Sequence, residues 1–318
     1  MVFHHIKKIE KAQTYLDIAV RRALKHKSKK KQGASFDKAK LREYDFVGII
    51  RDSLCSKLRS VMNDFPVLDD LPMFYSELLR VTLDYDKLKK SLSSIGWAVK
   101  KVQELARSYR RKIRETSDFK HLDAVKKAFL GRVCSVVNQV DKDLECLEHA
   151  RLVMKDYPVI KPGIFTVCIA GFPNVGKTTL LSRLTSSVPE IKAYPFTTKR
   201  LNLGYASLRG KEVQFIDTPG TLARPNKMNS IEKQAYLAMK HLADVIIYVF
   251  DLTEPYPLAD QKRLLGRISR LGKPVITYLS KTDVLERSVV EEFSKKEGAI
   301  LTLNKLREEI SRRILESN

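Results

Sequence analysis

The chain has no apolar run of bilayer length. Its longest, VIIYVF at 245–250, is strand-sized, and the opening MVFHHIKKIEKAQ lacks the apolar core of a signal peptide. These absences argue against a membrane span and a secretory route, so a soluble, cytoplasmic protein is expected. Cysteine is scarce. Cys55, Cys134, Cys146 and Cys168 show neither metal-ligand spacing nor a paired framework, and the six histidines do not cluster with them. That excludes a disulfide scaffold and leaves free thiols in a reducing compartment. No fixed-period repeat is present, which excludes a solenoid. Acid is in short supply as well: 37 Asp and Glu face 59 Lys and Arg, a net charge of +22. An excess of this size points to a polyanionic partner.

What is present divides into two parts. Before KDYPVIKPG, residues 155–163, few glycines or prolines interrupt stretches with helical apolar spacing. After it, short β-branched runs alternate with helical patterns. The expectation is an all-α helical bundle over residues 1–160 and an α/β domain over 161–318. In KVQELARSYRRKIRET (101–116), Val102, Leu105, Tyr109 and Ile113 form one stripe. FPVLDDLPMFY (65–75) reads as a structured break between helices. In the second part, FTVCIA (165–170), VQFID (213–217), DVIIYVFD (244–251) and PVITYLS (274–280) read as strands of a mostly parallel, doubly wound sheet. RLNLGYASLRGKEVQFID (200–217) adds an antiparallel edge hairpin about Arg209-Gly210. VVEEF (289–293) reads as a weaker strand, and AILTLNKLREEISRRIL as a closing helix.

GFPNVGKT, Gly171 to Thr178, fits G-x-x-x-x-G-K-[ST] between a predicted strand and a predicted helix. Backbone N–H groups of such a loop wrap phosphate oxygens, aided by the helix N-terminus. Gly171, Phe172, Pro173, Asn174, Val175 and Gly176 are therefore the expected cradle. Lys177 is expected on the β- and γ-phosphates, Thr178 on Mg²⁺, and Thr179 beside them. DTPG at 217–220 follows a strand, as a magnesium and γ-phosphate sensor should; Asp217 would act through a metal-bound water and Gly220 through its N–H. Between the two lies YPFTTKR, with Phe196, Thr197 and Thr198; Thr198 is favoured over Thr197 to close over the metal. SKTD, Ser280 to Asp283, ends a strand. A carboxylate at Asp283 matches donors N1 and N2 of guanine, which adenine lacks, while Lys281 can lie along the base. A P-loop ATPase or small-molecule kinase is disfavoured on that ground.

In this order the four motifs look like a translation-factor-class P-loop GTPase, and GFPNVGKT with YPFTT is similar to its Obg branch. YLDIAVRRA (15–23), FPVLDDLPMFYSELL (65–79), KAFLGRVCSVV (127–137) and AYPFTTK resemble the nucleolar GTP-binding protein 1 family, in a short archaeal-type form. The resemblance implies a monomeric enzyme that converts GTP to GDP with Mg²⁺ and binds the maturing large ribosomal subunit or its precursor. Two departures stand out. The base motif of such proteins usually begins with Asn, and here it is Ser280. Their last motif, usually Ser-Ala-Lys, is matched only by position, at Ser294, Lys295 and Lys296. In GTPases resembling this one, an asparagine placed like Asn174 can help bind K⁺; a plain loop-capping role is the other reading. Lys177, Thr198, Gly220 and Asn174 are thus the residues expected to carry hydrolysis. No glutamine follows Gly220, where Thr221 and Leu222 stand, so intrinsic hydrolysis is expected to be slow.

Two basic surfaces suit rRNA. From Arg21 to Arg42 there are ten basic residues and one acid, Asp37. Lys100, Arg107, Arg111 and Arg114 share one helix face. Aromatic interleaving is sparse, so backbone recognition is expected over base stacking. An RNA-binding structural factor that keeps GTP as a static cofactor stays open as the alternative.

Overall fold

The computed structural model describes residues 3–26, 35–185, 202–218, 230–253 and 256–316. They form two compact units that are not consecutive in sequence. Residues through Leu71, with Leu83–Lys155, make one; Pro72–Thr82, with Asp156 onward, make the other.

Among the described residues the first unit holds the α-helices α1 (Ala12–Lys25), α2 (Ser35–Asp64), α4 (Tyr85–Glu115), α5 (Phe119–Gln139) and α6 (Asp141–Lys155). α4 is its centre and packs on α2, α5 and α6. Two aspartates set the helix starts. Asp84 accepts from Lys87 N at 3.0 Å, and Asp118 accepts from His121 N at 2.8 Å, each satisfying an orphan N–H of a first turn. The apolar stripe of α4 is Val102, Ala106, Tyr109 and Ile113, all buried, while Leu105 sits half-buried at its edge. A spacing of four, three, four residues follows the helical period more closely than the expected one, and the small Ala106 lets neighbouring helices approach. The break between α2 and α4 contains a 3-10 turn, Leu68–Asp70, whose Asp69 accepts from Tyr85 Oη and Lys89 Nζ, both at 2.7 Å.

The second unit is built on a five-stranded sheet: β1 (Phe165–Ala170), β2 (Asn202–Leu208), β3 (Lys211–Asp217), β4 (Val245–Phe250) and β5 (Val275–Leu279), in the order β2-β3-β1-β4-β5. All pairs are parallel except β2 with β3. Arg209 and Gly210 both have positive φ, 49° and 78°, the backbone that a two-residue hairpin with right-handed twist requires. All six residues of β4 are buried, so the sheet centre is covered on both faces. Helices α7 (Lys177–Leu184), α8 (Ser230–His241), α9 (Leu258–Ser269), α10 (Arg287–Glu297) and α11 (Leu303–Glu316) complete the unit. The expected strand at 289–293 is instead the middle of α10. Val290 and Phe293 are buried three residues apart while their neighbours face solvent, a helical period in a segment too short to reveal it. Among the described residues no helix is long and apolar enough to cross a membrane.

Helix α3 (Met73–Thr82) lies before residue 160 in sequence but packs within the downstream unit. It packs on α8. Tyr75 Oη donates to Pro158 O at 2.8 Å and accepts from Ile160 N at 3.1 Å. Glu77 takes Lys240 Nζ at 3.2 Å and His241 Nε2 at 3.0 Å. Tyr75 is buried, so its hydroxyl satisfies two backbone groups cut off from water. Tyr75→Phe strands both and is expected to cost about 1–3 kcal/mol. Urea unfolding followed by circular dichroism checks this; an unchanged midpoint would show that the hydroxyl does not hold α3 to the following segment.

Candidate nucleotide site

β1 runs directly into the glycine loop. A Cβ on Gly171 would stand 2.7 Å from Val249 O, so only glycine lets the chain turn this tightly against β4. Asn174 (φ 62°) and Gly176 (φ 90°) take left-handed conformations, and Gly176 is the residue before α7. Val175 is fully buried and pins the loop, whereas Asn174 faces solvent at its crest. Phe172 packs its ring 4.7 Å from that of Tyr256. Lys177 is buried and its Nζ donates to Phe172 O at 2.5 Å, reaching back across the loop. The helix thus begins with its first N–H groups and a lysine ammonium facing one concavity, an arrangement suited to phosphate oxygens.

Asp217 closes β3, level with Ile169 of β1 and Asn202 of β2. Thr178 Oγ1 donates to its Oδ2 at 2.6 Å and Asn202 Nδ2 to the same oxygen at 3.0 Å. The other oxygen, Oδ1, is buried and has no hydrogen-bond partner among the described residues. Burial raises the carboxyl above the usual range, against the hydroxyl of Thr178, the charge of Lys177 and the amide of Asn202. An exposed threonine hydroxyl bonded to a buried carboxylate with one oxygen unfilled fits Mg²⁺, a hard cation that takes one or two protein oxygens and completes its shell with water and phosphate. No group of three or more His, Cys, Asp or Glu able to hold a metal occurs among the described residues, so phosphate would have to supply the remaining ligands. The next residue, Thr218, is fastened to Ile169 O through both N (3.0 Å) and Oγ1 (2.8 Å), which fixes where the DTPG loop leaves the sheet. Gly220, Phe196, Thr197 and Thr198 lie outside the described residues, as do Thr221 and Leu222.

On the base side, Ser280 follows β5. Its N and Oγ both donate to Phe250 O, at 2.9 and 2.8 Å. It lies close to the glycine loop, since a Cβ on Gly176 would be 3.8 Å from its own Cβ, yet its hydroxyl bonds to β4 rather than to that loop. Lys281 has φ 51° and places Nζ 2.6 Å from Oδ2 of the fully buried Asp251. Asp251 Oδ1 accepts from Thr253 N and Oγ1 at 2.8 and 2.7 Å. Gln261 brackets its backbone, accepting from Asp251 N at 3.1 Å and donating to Asp251 O at 2.7 Å. Asp283 sits exposed in the 3-10 turn Thr282–Val284, its carboxylate available to a base.

The structure does not bring Ser294, Lys295 and Lys296 to this loop. All three lie in α10, and Ser294 Oγ caps that helix end by donating to Ala299 O at 2.8 Å. A single parallel bridge pairs Ile300 with Tyr278, which places the segment before α11 next to the end of β5. Thr302 there caps α11, its Oγ1 accepting from Lys305 N at 3.4 Å. Sequence reasoning missed this because it read Ala299 onward as helix. It also missed Asp251, although an aspartate ending the apolar run VIIYVF was a visible signal.

The chain matches two family models: the NOG1 N-terminal helical domain over residues 3–161, and the 50S ribosome-binding GTPase over 166–281. An uncharacterized protein of Methanocaldococcus jannaschii is 38% identical over 80% of this chain and 72% of its own. The nucleolar GTP-binding protein 1 of Drosophila melanogaster is 34% identical over 77% of this chain, which spans only 38% of that longer protein. Among solved structures, the G domain of the T. maritima FeoB iron transporter is 27% identical, with a TM-score of 0.39 over 48% of this chain and 99% of that one.

Asp217→Asn removes a buried charge only one of whose two oxygens accepts hydrogen bonds from described residues. The nucleotide-free variant is expected to melt no lower than the parent, while magnesium enhancement of GTP affinity falls at least about tenfold. Calorimetric melting and nucleotide titration with and without magnesium read both. A lower melting temperature with the magnesium response intact would make the carboxylate merely structural.

Proposed function

We propose a function from one premise, that the chain belongs to the nucleolar GTP-binding protein 1 family. It carries a P-loop GTPase domain, and the proposal is that it hydrolyses GTP to GDP and phosphate while assembling the large ribosomal subunit. One observation carries the chemistry: the unfilled Oδ1 of Asp217, on a carboxylate bonded to the Thr178 hydroxyl at the mouth of the glycine loop.

In this reading Lys177 releases Phe172 O to meet the β- and γ-phosphates, and the loop N–H groups from Gly171 to Thr179 hold the rest. Thr178 would hold Mg²⁺ directly and Asp217 through a water, with Thr198 joining in the triphosphate state. Bound there, the metal would offset charge growing on the transferred phosphoryl oxygens. Gly220 N–H senses the γ-phosphate. Asp283 reads guanine N1 and N2, and the Lys281 stem, held by Asp251, lies along the base. Leu301, Thr302 and Leu303 take over the place first assigned to Ser294–Lys296.

With Leu222 offering no group to orient water, hydrolysis is slow until a partner assists. Asn174 stands exposed at the loop crest, where a potassium ion can sit beside the phosphates. The rRNA partner is supported by the +22 charge, by the Arg21–Arg42 run and by the α4 face from Lys100 to Arg114. Residues 27–34 of that run are outside the described residues.

GTP is expected to bind at least about tenfold tighter than ATP, since an unmatched base edge strands the Asp283 carboxylate. Steady-state hydrolysis should be faster in potassium than in sodium; equal rates would remove the role given to Asn174. The decisive measurement is binding to purified large subunits or their precursors with GTP, GDP and no nucleotide. Different affinities are expected. Identical ones would leave GTP as a static cofactor.

A further inference from the structure

In the helical unit, α2 and α4 enclose a groove of about 730 Å³ whose walls include Tyr44, Arg51, Arg107, Arg110, Arg111 and Arg114. Its two acids are already engaged. Asp52 holds Arg51 through two bonds, at 2.8 and 3.0 Å, and Glu104 takes Lys101 at 3.1 Å. Arg107 and Arg111 have no carboxylate partner among the described residues. Nor do Arg110 and Arg114, which are organised by Tyr44 instead. The Arg110 guanidinium lies 4.1 Å from the Tyr44 ring centroid and its Nε donates to Tyr44 O at 3.2 Å. Arg114 Nη2 donates to Tyr44 Oη at 2.6 Å.

One residue shows that this is a built arrangement rather than a solvated charged face. Gly48 sits in the interior of α2, where glycine costs about 1 kcal/mol relative to alanine. A Cβ there would fall 2.2 Å from Arg110 Nη2. The missing side chain is the space in which the guanidinium lies. Helix stability is given up at Gly48, and what occupies the space is a positioned cation with no anion beside it.

The groove also continues. A second hollow of about 590 Å³ shares Arg51, Asp52 and Gln103 with it and extends along α2 past Arg59 to Asn63, ending at Asp64, whose Oδ2 accepts from Lys7 N at 3.4 Å. From Tyr44 to Asn63 the track is about 28 Å long at 1.5 Å per residue. That length suits a polymer, not a single nucleotide. Planar guanidinium forks select phosphate, and the walls carry no apolar wedge that would enter a bilayer. The only aromatic ring is already covered by Arg110, so bases have no platform to stack on.

We propose that the α2–α4 groove is a binding track for the phosphate backbone of structured RNA, read by shape and charge rather than by sequence. The proposal rests on the reading that the chain works on ribosomal RNA, and it assigns the contact to Arg107, Arg110, Arg111, Arg114 and Arg59.

The test uses the full chain and fluorescence anisotropy on a labelled hairpin fragment of large-subunit rRNA across a salt series. R107E/R111E is expected to weaken binding at least about tenfold and to reduce the slope of log K against log salt by about 1.5–2, while GTP affinity and melting temperature hold. K87E/K90E changes the same charge on the same helix outside the groove and should weaken binding less than about threefold. Gly48→Ala displaces Arg110 while favouring the helix; it should weaken RNA binding with no fall in melting temperature. Groove variants that bind like the parent overturn the proposal, as does an equal loss in K87E/K90E. A parent chain that binds no rRNA fragment overturns the ribosomal reading as well. Binding to phosphatidylserine vesicles that R107E/R111E abolishes, with RNA binding intact, would reassign the groove to lipid.

Discussion

A buried carboxylate with one satisfied oxygen organises the nucleotide domain. Asp217 stands where β3 ends, with Asn202 of the antiparallel edge on one side and Thr178 of the first helical turn opposite. Both of those groups donate to Oδ2, so edge strand, central sheet and glycine loop meet on one atom. A buried carboxylate costs free energy unless its oxygens are paired, and here Oδ1 is not. Among the described residues nothing fills that place.

The consequence extends along the chain. The segment that leaves Thr218 re-emerges as α8, and α8 packs on α3. Their contact is polar as well as apolar: Glu77 holds both Lys240 and His241. Burial pushes the Glu77 carboxyl up, yet the hydrogen bonds from His241 and Lys240 outweigh it and hold it below the usual range. α3 is short, ten residues, and its chain neighbours Leu71 and Leu83 belong to the helical unit. α8 thus packs on a helix whose chain neighbours on both sides are assigned to the other unit.

The sheet was legible because parallel strands buried on both faces read as continuous apolar runs, and because Arg209-Gly210 permits few backbones other than a tight turn. The glycine loop was legible because its constraint is steric and local: Gly171 has no room for a Cβ. The helical unit was readable in kind, although the stripe of α4 includes Ala106, too small to register as apolar pattern. What stayed hidden depends on contacts across the sequence. Nothing local distinguishes VVEEF as a helix from VVEEF as a strand. Tyr75 bonds to backbone more than eighty residues away, so α3 cannot be assigned from its own composition. Ser294, Lys295 and Lys296 fall in α10, and a single parallel bridge at Ile300, not a motif, ties the following segment to β5.

Ser280 shows how one substitution in a motif changes what a site is anchored to. An asparagine at this point ties the base loop to the phosphate loop; the serine hydroxyl bonds to Phe250 O instead. Lys281 reinforces the same attachment, because its partner Asp251 lies one residue beyond the end of β4. Gln261 of α9 then fixes Asp251 from both sides. The base side is thus braced through β4 and α9, and the phosphate side through β1, β3 and α7. The two sides still meet at β4, because β1 pairs with it and Gly171 turns against Val249 O.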